Sequence, residues 1–275
     1  MLRKTSKPAA VLESYGIRAS KELGQNFLKD PRVAERILKL AGPLENEVVL
    51  EIGPGLGILT ESILQASVKQ LVCVELDKRC IDHLLSTCRG ANNLTLVHAD
   101  ALEISEEECT GTKGDIVVIA NLPYNISTPL VLKWMRKANI FKKMVLMFQK
   151  EVAERICALP STAQYGSLSI LCQAMCQAKL LFHLPPEAFF PQPKVTSSLV
   201  ILTPLSIAAE RLCTYKKLEK LCAAAFSKRR KTLRNALSGV VHDVSSTLLQ
   251  LELDPNKRPE NLTVNEYIRL AEFAN

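Results

Sequence analysis

A chain of 275 residues, 47% hydrophobic and 23% charged, has the composition of a folded globular protein, which excludes a disordered or fibrous one. No run approaches the ~20 apolar residues that a bilayer span needs, and the basic start, Met1 to Pro8, lacks the apolar core of a secretory signal, so a cytoplasmic protein is expected. The formal net charge of +7, from 35 basic and 28 acidic residues, suits a polyanionic partner only if the charges cluster.

Residues 1–24 read as a basic, partly extended arm. Asp30 can cap a helix in which Pro31 suits the first turn, with Val33, Ile37, Leu38 and Ala41 as its apolar face and Gly42-Pro43 as its end. Strands then alternate with helices. Val48–Ile52 is a strand and Ile58–Ala66 a helix; Leu71–Val74 is a strand, followed by a helix with Ile81, Leu84, Leu85 and Cys88 on one face. Leu94–Val97 is a third strand, leading into an acidic loop around Glu106, Glu107 and Glu108. The apolar run Asp115–Ala120 is a buried fourth strand, after which Thr128 caps a helix begun by Pro129.

Met144–Phe148 is a fifth strand, with helices expected from Lys150 to Leu159 and from Ser167 to Ala178. Lys179–Leu184 and Ser198–Leu202 are the last two strands, joined by a proline-rich connection that permits antiparallel pairing. The alternation predicts a doubly wound α/β sheet. Beyond Pro204 no strand-like run follows, and residues 215–226, 228–238, 243–251 and 263–273 read as helices of a small C-terminal domain. The expected division is an arm at 1–24, an α/β domain at 25–205 and a helical domain at 206–275. Nine cysteines without a C-x-x-C pair, and four scattered histidines, read as buried thiols in a reducing compartment rather than as a metal site. Cys172 and Cys176 would share a helix face.

Glu51-Ile52-Gly53-Pro54-Gly55-Leu56-Gly57 joins the first strand to its helix, where glycines let a ligand approach the backbone. The loop reads G-x-G-x-G, and Ile58 stands where a dinucleotide fingerprint needs its last glycine, which counts against nicotinamide and flavin cofactors. Glu75 ends the second strand about 20 residues on, where an acid grips ribose hydroxyls. Asp100 ends the third and can accept from an adenine amino group. Each acid alone is an ordinary solvated strand end; together with the glycine loop, at successive strand ends, they indicate an adenosine-containing cofactor.

Asn121-Leu122-Pro123-Tyr124 follows the fourth strand, at the sheet edge where α/β proteins bind ligands. A turn alone would also use Asn and Pro. The set nevertheless suits a flat base carrying an amine. The Asn121 side-chain oxygen and the Leu122 carbonyl, fixed by Pro123, can accept from its hydrogens and free the nitrogen lone pair. Tyr124 can stack on the ring. With a sulfonium methyl as electrophile, alignment suffices and no strong base is needed.

The chain resembles the ribosomal RNA adenine dimethylases. The resemblance rests on Gly24–Leu28, Glu51–Thr60, Val74–Asp77, Asp100–Leu102, Asn121–Pro129, Gln149–Val152, Phe189–Val195 and Phe226–Leu237, which together span nearly the whole chain. It implies a Rossmann-like class I methyltransferase fold, with a seven-stranded, mostly parallel sheet and a small C-terminal all-α domain. It also implies S-adenosylmethionine as cofactor, surrounded by Gln25, Asn26, Leu28, Gly53, Gly55, Glu75, Leu76, Asp100, Ala101 and Asn121. The implied reaction dimethylates the N6 amino groups of two adjacent adenosines near the 3′ end of small-subunit (16S) rRNA. The same resemblance places Phe189 near the target base, opposite Tyr124; read as residues, Phe189 and Phe190 are core side chains. The implied partner is 16S rRNA in the small subunit or its precursor, during subunit assembly, with a monomeric enzyme and neither metal nor membrane.

Lys228, Arg229, Arg230, Lys231 and Arg234 put five basic residues within seven. Such a run is often only a solvated face, but here it can hold RNA by its phosphates while the pocket selects an unstacked base. Lys133, Arg136, Lys137, Lys142 and Lys143 form a looser cluster. Two other readings are a large-subunit rRNA methylase of the antibiotic-resistance type, which typically carries isoleucine at the Leu122 position, and a non-catalytic rRNA-binding assembly factor. A DNA adenine methylase fits less well, since its motif usually reads Asn or Asp, Pro, Pro, aromatic.

Overall fold

The computed structural model describes residues 23–274, so the expected arm falls outside it apart from Leu23 and Gly24. One two-stranded ladder and one large sheet organise the chain up to Pro204. β1 (Phe27–Leu28) leads into α1 (Pro31–Ala41), which starts as its sequence dictates: the Asp30 side chain accepts from the Arg32 N–H at 2.9 Å, and Pro31 fills the first turn. Then follow β2 (Val48–Ile52), α2 (Ile58–Gln65), β3 (Gln70–Glu75), α3 (Lys78–Thr87), β4 (Leu94–His98), α4 (Glu106–Thr110) and β5 (Ile116–Asn121). The chain continues through α5 (Ser127–Met135), β6 (Phe141–Gln149), α6 (Lys150–Ile156), α7 (Ser167–Met175), β7 (Cys176–Leu184), β8 (Phe189–Phe190) and β9 (Ser197–Pro204).

The seven-stranded sheet has the order β4-β3-β2-β5-β6-β9-β7. Its pairings are parallel from β4 to β6 and antiparallel between β6 and β9. Val49, Leu71, Cys73, Val117, Ile119, Val145 and Met147 point to one face and pack with Ala34, Ile37 and Ala41 of α1 and Leu59 and Ile63 of α2. The intervening Leu50, Val72, Val74, Val118, Ala120, Met144, Leu146 and Phe148 are equally buried. Burial on both faces explains why these strands read as continuous apolar runs. This is the Rossmann-like methyltransferase fold that the resemblance implies, with a helical C-terminal region after it.

Several boundaries differ from the sequence reading. The acidic stretch is a helix, α4: Ser105 caps it by accepting from Glu108 N–H, and three glutamates in its first turn sit where the helix dipole favours them. α5 begins at Ser127, ahead of the Thr128 expected to cap it. α6 stops at Ile156 rather than Leu159. α7 stops at Met175, and Cys176 already has strand dihedrals, so Cys172 and Cys176 do not share a helix face. Helix and strand join there without a loop, leaving no glycine or proline to mark the change.

The described residues divide into two compact units: one up to residue 130 with 140–153 and 179–203, and one of 131–139, 154–178 and the residues from 204 onward. The second unit holds α8 (Ala208–Ser227), α9 (Leu233–Ala236), α10 (Val244–Gln250) and α11 (Val264–Glu272). Its core stacks Phe226 on Tyr267, ring centroids 6.0 Å apart, with Tyr165 edge-on at 6.4 Å. Two of the buried phenols are satisfied, Tyr165 donating to the Leu262 carbonyl and Tyr267 to that of Pro259, each at 2.9 Å, whereas the Tyr215 hydroxyl has no hydrogen-bond partner among the described residues. The expected helix at 228–238 is instead a turn through Lys228–Lys231, closed by Lys231 N–H to the Lys228 carbonyl at 2.8 Å, followed by the single turn of α9. A run of four cations has no apolar spacing to hold a helix face down.

Candidate active site

β2, β3 and β4 step outward in one direction and β5 lies on the other side of β2, so the strand order reverses between β2 and β5. Carboxyl ends of parallel strands at such a reversal form the ligand crevice of α/β sheets. The structure has a cavity of about 270 Å³ there. Its walls bring together Gln25, Asn26 and Leu28, the loop from Glu51 to Leu59 with Gly53 and Gly55, then Glu75, Leu76, Asp100, Ala101, and Asn121, Leu122, Pro123 and Tyr124.

Glu75 is buried, 7% exposed, and burial pushes its carboxyl above the ordinary carboxylate range. Backbone N–H groups pull the other way: Gly55 donates at 3.1 Å and Asp77 at 2.8 Å, one to each oxygen. Both oxygens keep further lone pairs for a diol. Asp100 accepts from the Leu102 N–H at 2.8 Å, a local turn that fixes its carboxylate at the wall. The Gly55 backbone has φ of +56°, and a Cβ there would lie 2.6 Å from the Phe27 ring, so only glycine lets Phe27 close over the loop. Apolar walls, a buried carboxylate and a side-chain-free loop are what an adenosine-bearing cofactor needs: a slot for the ring, an acceptor for the ribose and room at the backbone.

The Asn121 amide nitrogen donates to the Asn26 carbonyl at 2.8 Å. With that end committed, the side-chain oxygen is the acceptor left at the cavity wall. Gln25 donates to Asp77 at 3.0 Å, and Asp77 also caps α3 and pairs with Arg79 at 2.7 Å, which holds its carboxyl below the usual range. The segment at 23–28 is thereby fastened to β5 and to the start of α3. Tyr124 meets Ser197 Oγ through its hydroxyl at 2.5 Å, and burial raises its phenol pKa, so the ring is a fixed neutral surface and not a base. Asp77 and Ser197 escaped the sequence reading as positioning groups. Asp77 stands inside the motif Val74–Asp77, whereas nothing in the sequence joins Ser197 to Tyr124, 73 residues away.

Phe189 does not line the cavity. It is fully buried in the core, because β8 pairs antiparallel with β1 and sets Phe189 opposite Leu28. The residue-level reading as a core side chain describes it. In the second unit, Lys228, Arg230, Lys231 and Arg234 are exposed. Arg229 is turned inward: it pairs with Glu260 and donates to the Ala163 carbonyl at 3.1 Å. Arg136 of the looser cluster pairs with Glu219 at 2.9 Å. Among the described residues, no group of three or more His, Cys, Asp or Glu side chains could hold a metal ion.

The family model described as "Ribosomal RNA adenine dimethylase" matches residues 16–275. The ribosomal RNA small subunit methyltransferase A of Wolbachia sp. subsp. Drosophila simulans (strain wRi) is 42% identical over 263 residues, 94% of this chain and 95% of that protein. Among solved structures, a dimethyladenosine transferase from Plasmodium falciparum superposes with a TM-score of 0.78 at 29% identity, covering 90% of this chain and 99% of that one. The 23S rRNA methyltransferase ErmE superposes at 0.68 with 22% identity, over 90% of this chain and 98% of that one, a likeness of fold alone.

Proposed function

Because this chain belongs to the ribosomal RNA adenine dimethylase family, we propose that it transfers methyl groups from S-adenosylmethionine to the N6 amino groups of two adjacent adenosines. These lie in the 3′-terminal hairpin loop of 16S rRNA, each is dimethylated, and the reaction belongs to small-subunit assembly in the cytoplasm. The observation that carries the reading is the convergence of Asn121, the glycine loop and Glu75 on one cavity at the β2/β5 reversal.

The cofactor supplies an electrophilic methyl on a sulfonium. Glu75 would hold its ribose, Asp100 its adenine amino group, and Leu76 and Ala101 the faces of that ring, with Gln25, Asn26 and Leu28 closing the wall. The protein's task is then to present the target nitrogen. Asn121 Oδ1 and the Leu122 carbonyl accept its two hydrogens, drawing the lone pair out of conjugation and toward the methyl. Tyr124, held by Ser197, offers the stacking face, and Pro123 fixes the carbonyl before it. After transfer the nitrogen sheds a proton to water, so no side-chain base is required. Phe189 takes part as a positioning residue, through the β8 pairing that sets Leu28.

Lys228, Arg230, Lys231 and Arg234 are the proposed phosphate contacts, with Arg229 holding their turn. The test is transfer of labelled methyl from S-adenosylmethionine to unmethylated small subunits and, in parallel, to large subunits. Label in small-subunit rRNA supports the reading; label in large-subunit rRNA alone supports the antibiotic-resistance type of reaction, and no label in either supports a binding factor.

A further inference from the structure

An open groove of about 770 Å³ runs between α1 and the end of β7, lined by Lys29, Arg32, Arg36, Phe182, His183 and Glu187 among others. All of it lies in the first unit, and none of these residues walls the cavity at the β2/β5 reversal. Arg32, Arg36 and Lys39 recur at i, i+4 and i+7, which puts three exposed cations on one face of α1 over about 10 Å of helix. Lys29 precedes them on the same side. Of the acids nearby, Asp30 is forked by Arg32 at 2.7 Å and Glu187 accepts from Gln192 at 3.0 Å, while Glu35 lies exposed on α1. The Arg32 side chain is 87% exposed, and a surface pair of this kind is weak enough for a phosphate to compete for it.

Arg36 is the feature that selects a partner. Its guanidinium carbon lies over the Phe182 ring, 3.9 Å from the centroid, a cation held on an aromatic face. The ring is anchored from below, packed against the core cluster. A guanidinium plane held this way is a platform on which an unstacked RNA base can continue the pile. An acidic peptide would use the charges but not the plane.

We propose that this groove, with the α1 face that continues from it to Lys39, is a second RNA-binding surface, gripping ribosomal RNA phosphates along Lys29, Arg32, Arg36 and Lys39 and stacking one base on Arg36. The inference rests on RNA being the substrate. It adds a grip within the catalytic unit itself, separate from the basic turn at 228–234. Phosphates held there position the RNA without reading its sequence.

The test measures binding of a small-subunit rRNA transcript between 50 and 200 mM salt, with S-adenosylmethionine affinity by calorimetry as a control on folding. The triple substitution Arg32→Gln, Arg36→Gln and Lys39→Gln should flatten the salt slope by about 2 of its log–log units, since each phosphate contact contributes roughly 0.7–0.9. Arg36→Lys keeps the charge and loses the plane, and should weaken binding at least about five-fold with the slope unchanged. If the unaltered protein binds the transcript and the triple variant keeps its slope and affinity, the groove is not an RNA surface while the proposed activity stands. If the unaltered protein binds no RNA, both readings fall.

Discussion

Asn121 gives its side-chain N–H to the backbone carbonyl of Asn26 across 2.8 Å, joining residues 95 apart in sequence. One bond does two things. It fastens the segment at 23–28 over the cavity, and it fixes which end of the amide is an acceptor there. An aspartate would keep the acceptor but face the Asn26 carbonyl with another oxygen. Asn121→Ala should therefore lower kcat by about 10²–10³-fold, as loss of one aligned transition-state hydrogen bond does. Both variants lose the tether to Asn26 and should weaken S-adenosylmethionine binding, Asn121→Asp the more because it sets a second oxygen against that carbonyl. Single-turnover rates and calorimetry separate the two effects; an alanine variant at full rate would remove Asn121 from the reaction.

Glu75 is held by the backbone N–H groups of Gly55 and Asp77, so its removal both deletes an acceptor and frees the loop. Glu75→Ala should weaken S-adenosylmethionine binding by at least about tenfold, which is about 1.4 kcal/mol. Unchanged affinity would put the ribose elsewhere on the wall.

Gly55 has no space for a methyl group beside Phe27 and has a backbone φ that L residues avoid. Gly55→Ala should cost about 1–3 kcal/mol of stability by denaturant titration and reduce cofactor affinity with it. A variant as stable as the parent would mean that Phe27 moves freely.

Glu51 is 1% exposed behind the glycine loop, accepts from Thr60 at 2.7 Å, and is pushed by burial from 4.5 up to about 7. The folded protein thus binds this proton more tightly than the unfolded chain. Stability should fall as pH rises from about 4.5 to about 7 and level off above, by on the order of 3 kcal/mol for this group. Glu51→Gln should flatten that decline. Denaturation midpoints at pH 5 and 8 in both proteins test it, and equal slopes would exclude Glu51 as the source.

Much of this site is legible in the sequence because parallel strands buried on both faces advertise themselves as apolar runs, and a ligand site at their ends collects whatever polar residues follow. Glu75, Asp100 and Asn121 are found that way. What is hidden are the groups that hold the site: Ser197 on Tyr124, Asp77 on Gln25, and the two-residue ladder that pairs Leu28 with Phe189. These join distant segments through single contacts, and single contacts leave no periodicity. The basic turn shows the opposite fault. Its composition is plain, but only the fold reveals that Arg229 faces Glu260 while Lys228, Arg230 and Lys231 face solvent.

That division is itself testable. Arg229→Gln should lower stability by about 1–3 kcal/mol, from lost charge-assisted hydrogen bonds. Neutralising Lys228, Arg230 and Lys231 together should leave the melting temperature near its parent value and flatten the salt dependence of rRNA binding. The reverse pattern would assign Arg229 to the RNA and the other three to the fold.

The most direct measurement is to incubate the protein with S-adenosylmethionine and small subunits lacking the modification, digest the 16S rRNA and map the modified nucleotides by mass. The account predicts two adjacent adenosines near the 3′ end, each carrying two added methyl groups, and none with Asn121→Ala. Methylation at any other base of the 16S rRNA, or none, would contradict it.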